Sequence, residues 1–296
     1  MISARVIADS TYINDITNKQ HRVTTLELEY PRYIHSELKT HRVFSSNSAS
    51  SRAIPVERMI ELTTNNPVMP MWTLNQKGMS GNFVEDPDKK ELCDAIWLDA
   101  LGNALNSARS LAEAGIHKQN VNRLLEPFQH IKTILTGTEW DNFFNLRISP
   151  EAQPEIHKLA ARMQDAILES TPNLLGKHEV HCPYFPDPVD YQDTRSMLTS
   201  VALCAQVSYR REDDSDDTTT RIINRLLSSD RIHASPFEHV CMPNFVGFEP
   251  RGNLKGYIQL RHKIEEDKPR IDAWLKDDAE VDYYQAFIKM GGAIWL

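Results

Sequence analysis

Apolar and polar residues alternate at period two through Arg22-Val23-Thr24-Thr25-Leu26-Glu27-Leu28-Glu29-Tyr30, the pattern of a half-buried strand, and Pro31 stops it. The opening of the chain therefore reads as strands. After Pro55, Val56 to Leu62 has the spacing of a short helix. From Thr63 to Pro87 the pattern dissolves into Asn, Pro, Gly and Met, which predicts a long loop or lid over 63–90. Helical spacing then returns, with Leu92, Ala95, Ile96, Leu98, Leu101, Leu105, Ala108 and Leu111 expected on one inward stripe that ends near Gly115. A second helix is predicted from Pro150 to Ser170, facing in through Ile156, Leu159, Ala160, Met163 and Ile167. A Pro-rich connection follows over 171–193. A third helix is expected from Thr218 to Ser229, with Ile222, Ile223, Leu226 and Leu227 inward.

Composition narrows this picture. With 296 residues, 41% hydrophobic and 25% charged, the chain has the make-up of a globular protein with a sizeable core. No apolar run reaches the roughly 20 residues that span a bilayer. The start lacks the basic-then-apolar layout of a secretory signal, so a cytoplasmic protein without membrane contact is expected. A formal net charge of -8 argues against broad nucleic-acid binding. Cys93, Cys182, Cys204 and Cys241 have no Cys-x-x-Cys spacing, against a disulfide framework or zinc ribbon. His178, His181 and Cys182 have a metal-like spacing without a fourth ligand, so no metal site is assigned. The acidic run Glu212 to Asp217 lacks the Gly and distal Glu of a calcium loop and reads as a solvated loop. Neither a Walker A sequence nor Gly-x-Gly-x-x-Gly is present, against a Rossmann cofactor domain.

Candidate chemistry concentrates in Thr40-His41-Arg42-Val43-Phe44-Ser45-Ser46-Asn47-Ser48-Ala49-Ser50-Ser51-Arg52. So many donors are costly to bury without partners, and a phosphate supplies such partners. Two readings fit, an anion site and a polar surface loop. A second candidate is Asn142-Phe143-Phe144-Asn145-Leu146-Arg147, then Ala152-Gln153-Pro154-Glu155-Ile156, where an arginine precedes a helix start. Asn253 to His262 reads as a helix beside the site, with Arg261 and His262 as site or surface residues.

The order of residues resembles the flavin-dependent thymidylate synthases, the ThyX family. Its signature is Arg-His-Arg, seven variable positions, Ser, and a further Arg two residues on. His41, Arg42, Ser50 and Arg52 match, whereas Thr40 replaces the first arginine and Ser48 the glutamate that follows the asparagine. Asn142 and Arg147 fall on the family's flavin-contacting asparagine and nucleotide-contacting arginine. Asn122-Arg123-Leu124-Leu125-Glu126-Pro127 resembles an Arg-x-x-Leu-Pro element and makes Arg123 a phosphate contact, with Glu126 in place of an apolar residue. Gln206-Val207-Ser208-Tyr209 and Ser235-Pro236-Phe237-Glu238-His239 resemble a strand and a motif that ordinarily precede the signature; here they follow it. A circular permutation accounts for that order.

The resemblance implies a single α+β catalytic domain over 1–296, with a mixed or antiparallel sheet flanked by helices. It implies transfer of a one-carbon unit from methylenetetrahydrofolate to C5 of dUMP with FAD and NADPH, in a homotetramer. Arg147 and Ser50 would be catalytic. Arg52, Arg123, Ser50 and Arg147 would bind the pyrimidine deoxynucleotide monophosphate, and His41, Arg42, Asn47, Asn142, Ser208 and His239 the flavin. Thr40 and Ser48 leave two alternatives open: C5 hydroxymethylation of a pyrimidine deoxynucleotide, or a non-catalytic flavin- or nucleotide-binding homologue.

Overall fold

The alternation that begins at Arg22 becomes the middle of a mixed sheet. The structure, a computed structural model, describes residues 2–78, 80–208, 214–228, 231–245, 252–277 and 281–295. Strands β1 (Ser3–Ile13), β2 (Gln20–Pro31), β3 (Ser45–Ser48), β4 (His130–Gly137) and β5 (Asn173–Leu174) form it in the order β3-β4-β2-β1-β5. Every pairing is antiparallel except the short parallel β1–β5 edge. The β1–β2 turn is built by Asn14, whose side-chain oxygen accepts from the amides of Ile16 and Thr17, and by Asn18 in the left-handed region at φ 51°.

Period two sorts the two faces. Leu26, Leu28 and Tyr30 of β2 and Ile131 and Leu135 of β4 lie in one core with Phe143, Phe144, Ile156, Leu159 and Met163. That core is closed by α5 (Asp141–Arg147) and α6 (Pro154–Glu169), following α1 (His35–Lys39), α2 (Val56–Asn65), α3 (Pro87–Glu113) and α4 (Lys118–Val121). The other face of the sheet is more polar, with Thr25 opposite Thr136 and Glu27 opposite Ile134. Against it packs the carboxyl-terminal part of the chain. This comprises α7 (Thr194–Ala205), α8 (Asp216–Leu227), α9 (Leu260–Asp277) and α10 (Tyr283–Met290), with a second large core around Leu198, Val201, Phe237, Ile264 and Phe287. The short pairs β6 (Glu179–Val180) with β7 (Val189–Asp190), and β8 (Cys241–Pro243) with β9 (Tyr257–Gln259), complete that part. Gly256, at φ 84°, is required in the turn just before β9, because a Cβ there would sit 2.4 Å from the His21 ring.

The segment expected as a loop over 63–90 is irregular between α2 and α3, but it is anchored. Trp97 Nε1 donates to Val68 O at 2.7 Å, Trp72 Nε1 to Asp94 at 2.7 Å, and the Met71 amide to buried Glu155 at 2.7 Å. The inward stripe of α3 is shorter than its spacing predicts. Leu101, Leu105 and Ala108 are buried, whereas Leu92, Ile96, Leu98 and Leu111 are exposed, because α3 docks on α2 and Leu125 mainly through its later turns. On α8, Ile223 and Leu227 are buried and Ile222 and Leu226 half-buried. The Pro-rich connection over 171–193 carries β5, β6 and β7. Gln206–Ser208, expected as a strand, is a 3-10 turn that continues α7, and Tyr209 lies outside the described residues. Glu212 and Asp213, which open the acidic run, lie outside them too. Asp216 and Asp217 begin α8 behind the Ser215 N-cap, where carboxylates favour the helix dipole. The helix expected over 253–262 starts only at Leu260.

Candidate functional site

The signature forms a polar edge strand with partners on both faces. Because side chains alternate on β3, Ser46 and Ser48 face the α6 side, where Lys39 donates to Ser46 and the Thr133 hydroxyl to Ser48 Oγ at 2.9 Å. Ser45 and Asn47 face the carboxyl-terminal part. Gln259 Nε2 donates to Ser45 Oγ at 2.9 Å, Asn47 Nδ2 to Cys204 O at 2.7 Å, and Ser235 Oγ to Asn47 Oδ1 at 3.2 Å. The Ser50 amide donates to Ser208 Oγ at 2.9 Å. Ser208 and Ser235 thus meet the signature although 158 and 188 positions separate them from the residues they bond.

Arg147, the last residue of α5, reaches the start of the signature. Its Nε donates to His41 Nε2 at 3.0 Å and its Nη2 to Thr40 Oγ1 at 3.3 Å; Glu37 lies 3.9 Å from Nη1. Burial first, and the Arg147 charge second, hold the His41 pKa below its ordinary value. A neutral His41 can accept from Arg147, which assigns its proton to Nδ1. The ring stands edge-on to Phe143, with centroids 4.8 Å apart.

His41 and Asn142 line one cleft of about 670 Å3. Its wall is aromatic (Trp140, Phe143, Phe144), and Lys19, His21 and Lys255 stand at its rim. Burial, then the charges of Lys19 and Lys255, lower the His21 pKa. A second cavity of about 380 Å3, lined by Ala49, Arg58, His130 and Ser208, lies beyond the other end of the signature. A larger trough of about 1150 Å3, between the 71–86 segment and α6, holds none of the expected site residues.

The remaining expected residues line none of these three cavities. Arg42 and Arg52 are exposed, with no hydrogen-bond or ion-pair partner among the described residues. Arg123 is exposed and bound to Glu126. Arg261 pairs with Glu238 and Glu265, and His262 lies 3.8 Å from Glu265. His239 is fully buried: its Nδ1 bonds Thr136 Oγ1 at 2.8 Å, and its Nε2 has no partner among the described residues. His181 is buried between Ser10 Oγ and Thr25 Oγ1, at 2.8 Å from each, and Thr25 bonds Thr136 at 2.7 Å. His178 instead stacks on Tyr191. Burial depresses both buried imidazoles, His181 to about 4 and His239 to about 3, so both are neutral at pH 7. Sequence reasoning missed Glu37 and Trp140, and it gave no role of their own to Phe144 and Lys255 within the stretches it singled out. The spacing of Trp140 and Phe144, one helical turn apart, was the available signal for a shared aromatic wall.

Residues 15–173 match the family model described as thymidylate synthase complementing protein. No curated protein matches the chain. Among solved structures, it is similar to a UMP/dUMP methylase PolB from Streptomyces cacaoi bound with 5-Br UMP, at 16% identity and TM-score 0.46, covering 57% of this chain and 89% of that one. The same methylase bound with 5-Br dUMP gives 14% identity and TM-score 0.43, covering 57% and 91%. The family match spans more than half of the sequence and takes in the signature, α5 and α6: the chain belongs to the thymidylate synthase complementing protein family.

Proposed function

We propose that this chain transfers a one-carbon unit from methylenetetrahydrofolate to C5 of dUMP, giving dTMP, as a flavin-dependent enzyme that uses NADPH. The observation that carries the reading is the junction of Arg147 with His41 and Thr40, which ties two family motifs 106 positions apart into one polar corner. The cleft beside it suits a flavin nucleotide. Trp140, Phe143 and Phe144 offer an aromatic wall, His41 and Asn142 offer polar contacts, and Lys19, with Lys255 paired to Glu139 at 2.7 Å, offers positive charge for a diphosphate. Bound FAD would supply the redox chemistry, with NADPH as reductant and methylenetetrahydrofolate as carbon source.

The chain's own residues would do the positioning. Uracil C5 is a weak carbon nucleophile, so charge that develops on the ring carbonyls needs a fixed donor. Arg147 meets that need because three neighbours hold its guanidinium. Arg52 and Arg123, with Ser50, would hold the phosphate and so fix C5. Cys182, Cys204 and Cys241 are buried with thiol pKa values pushed up by burial, which suits a route without an enzymic thiolate. A circularly permuted element order belongs to the same reading. It is supported by the seating of Ser208 and Ser235 on the signature and by a family match that ends before both. Arg42 and Arg52 project from the protomer, as a flavin site shared within a homotetramer would require.

Purified protein is expected to carry flavin absorbance and to turn over dUMP with methylenetetrahydrofolate and NADPH. The product mass should show an added methyl group, not a hydroxymethyl group. Absence of both flavin and turnover would reject the reading.

A further inference from the structure

A cluster of donors lies outside the aromatic cleft, at the far end of the signature. Three of them converge on one oxygen of Glu126: Arg32 Nη2 at 3.0 Å, Arg123 Nη1 at 2.9 Å and Ser51 Oγ at 2.9 Å. Arg123 also lies 3.2 Å from the second oxygen. We propose that Glu126 is an internal anion seated in an oxyanion subsite, and that a phosphomonoester binds this chain by displacing it.

The frame of the seat is fixed. Asn122 Nδ2 donates to Ser51 O at 2.7 Å and to Ile54 O at 3.0 Å, Lys118 donates to Ala53 O, and the Arg32 amide bonds Gln129 O at 2.8 Å. The seat is also open to solvent, since the Arg123 side chain is 55% exposed and that of Glu126 24%. Two guanidinium groups against one carboxylate leave one positive charge over. A phosphate dianion balances both, and its oxygens accept the same two forks and the same hydroxyl. Arg52 follows Ser51 in the chain and is exposed, without a partner among the described residues. Glu126 therefore lowers the affinity of the seat for any outside anion and favours the one able to bring two charges. Singly charged carboxylates gain nothing over Glu126 itself.

This inference rests on the nucleotide reading, which already gives Arg123 to the phosphate, and adds Glu126 as the group that must yield; its test therefore starts from inorganic phosphate. Titration calorimetry on the full chain would compare wild type, Glu126→Gln and the double variant Glu126→Gln/Arg123→Ala, first with phosphate and then with dUMP. Glu126→Gln should tighten phosphate binding about tenfold, and Arg123→Ala should cancel the gain. Glu126→Asp keeps the charge but draws it back by one methylene. It should shift affinity the same way by a smaller factor, and it serves if the glutamine variant fails to fold. Unchanged or weaker phosphate binding in a folded variant overturns the proposal. Phosphate binding that responds to Glu126 while dUMP binds no variant would leave the seat standing and sink the nucleotide reading. Binding of dUMP that ignores Glu126 would do the reverse.

Discussion

Arg147 is held by contacts that suit the ring-side role proposed for it. A guanidinium on an exposed helix end loses much rotamer freedom when it first meets a ligand, whereas this one is already oriented by His41, Thr40 and Glu37. Thr40 shapes that arrangement. Its hydroxyl donates to Glu37 O at 2.7 Å and receives Arg147, in a place where a second arginine would repel it. Replacing Arg147 with alanine should reduce kcat about a hundredfold with a smaller change in KM, the pattern of a donor that acts mainly on developing charge. Steady-state kinetics with dUMP checks this, and an unchanged kcat would remove Arg147 from the chemistry. Arg147→Lys should recover only part of the loss, since a single ammonium cannot reproduce a planar fork.

At the scale of elements, the long α3 shows how local signals and docking divide the work. Asp86 caps it, its carboxylate accepting from the amides of Asp88 at 3.0 Å and Lys89 at 3.4 Å, and Pro87 occupies the first turn. Asp86→Ala should lower stability by about 1 kcal/mol, read as a fall in the urea midpoint at unchanged slope. The existence of α3 and α6 was legible from spacing, and so was the strand at Arg22. Which turns of α3 would be buried was not, because periodicity marks an apolar stripe without saying how much of it finds a neighbour. The α7 helix was hidden for a related reason. Thr194–Ala205 is buried on nearly every side, so its sequence mixes Thr, Ser and Ala without a polar face to mark the period. The candidate site was legible as motifs. Its geometry was not, since Ser208 and Ser235 reach the signature through tertiary pairing alone. Glu126 stood out in the sequence only as a departure from a pattern, and its three donors come from separate segments.

Over the whole molecule, two cores flank the sheet, and one buried chain of polar groups crosses its polar face: Ser10, His181, Thr25, Thr136 and His239. This chain sets an acid limit. An unfolded imidazole titrates near 6.5, whereas folded His181 and His239 take up protons only at about 4 and about 3. The stabilisation from keeping them neutral is complete above pH 6.5 and is lost as pH falls through that value toward 4, because the unfolded chain then binds protons that the native state refuses. The urea midpoint should therefore decline steadily from about pH 7 to about pH 4.5, and His181→Asn should flatten the decline. A midpoint that stays level in the wild type would contradict the assignment. The same polar chain has a further consequence for assembly of the fold. Apolar surfaces tolerate sliding, but a row of hydroxyls and imidazoles matches in one position only. A slip of one residue between β4 and the segment that bears His239 would turn Thr136 away and strand an imidazole in a dry interior. The sheet and the carboxyl-terminal segment thus meet as key and ward. What this seam contributes is a single permitted alignment, and the signature strand inherits its place from it.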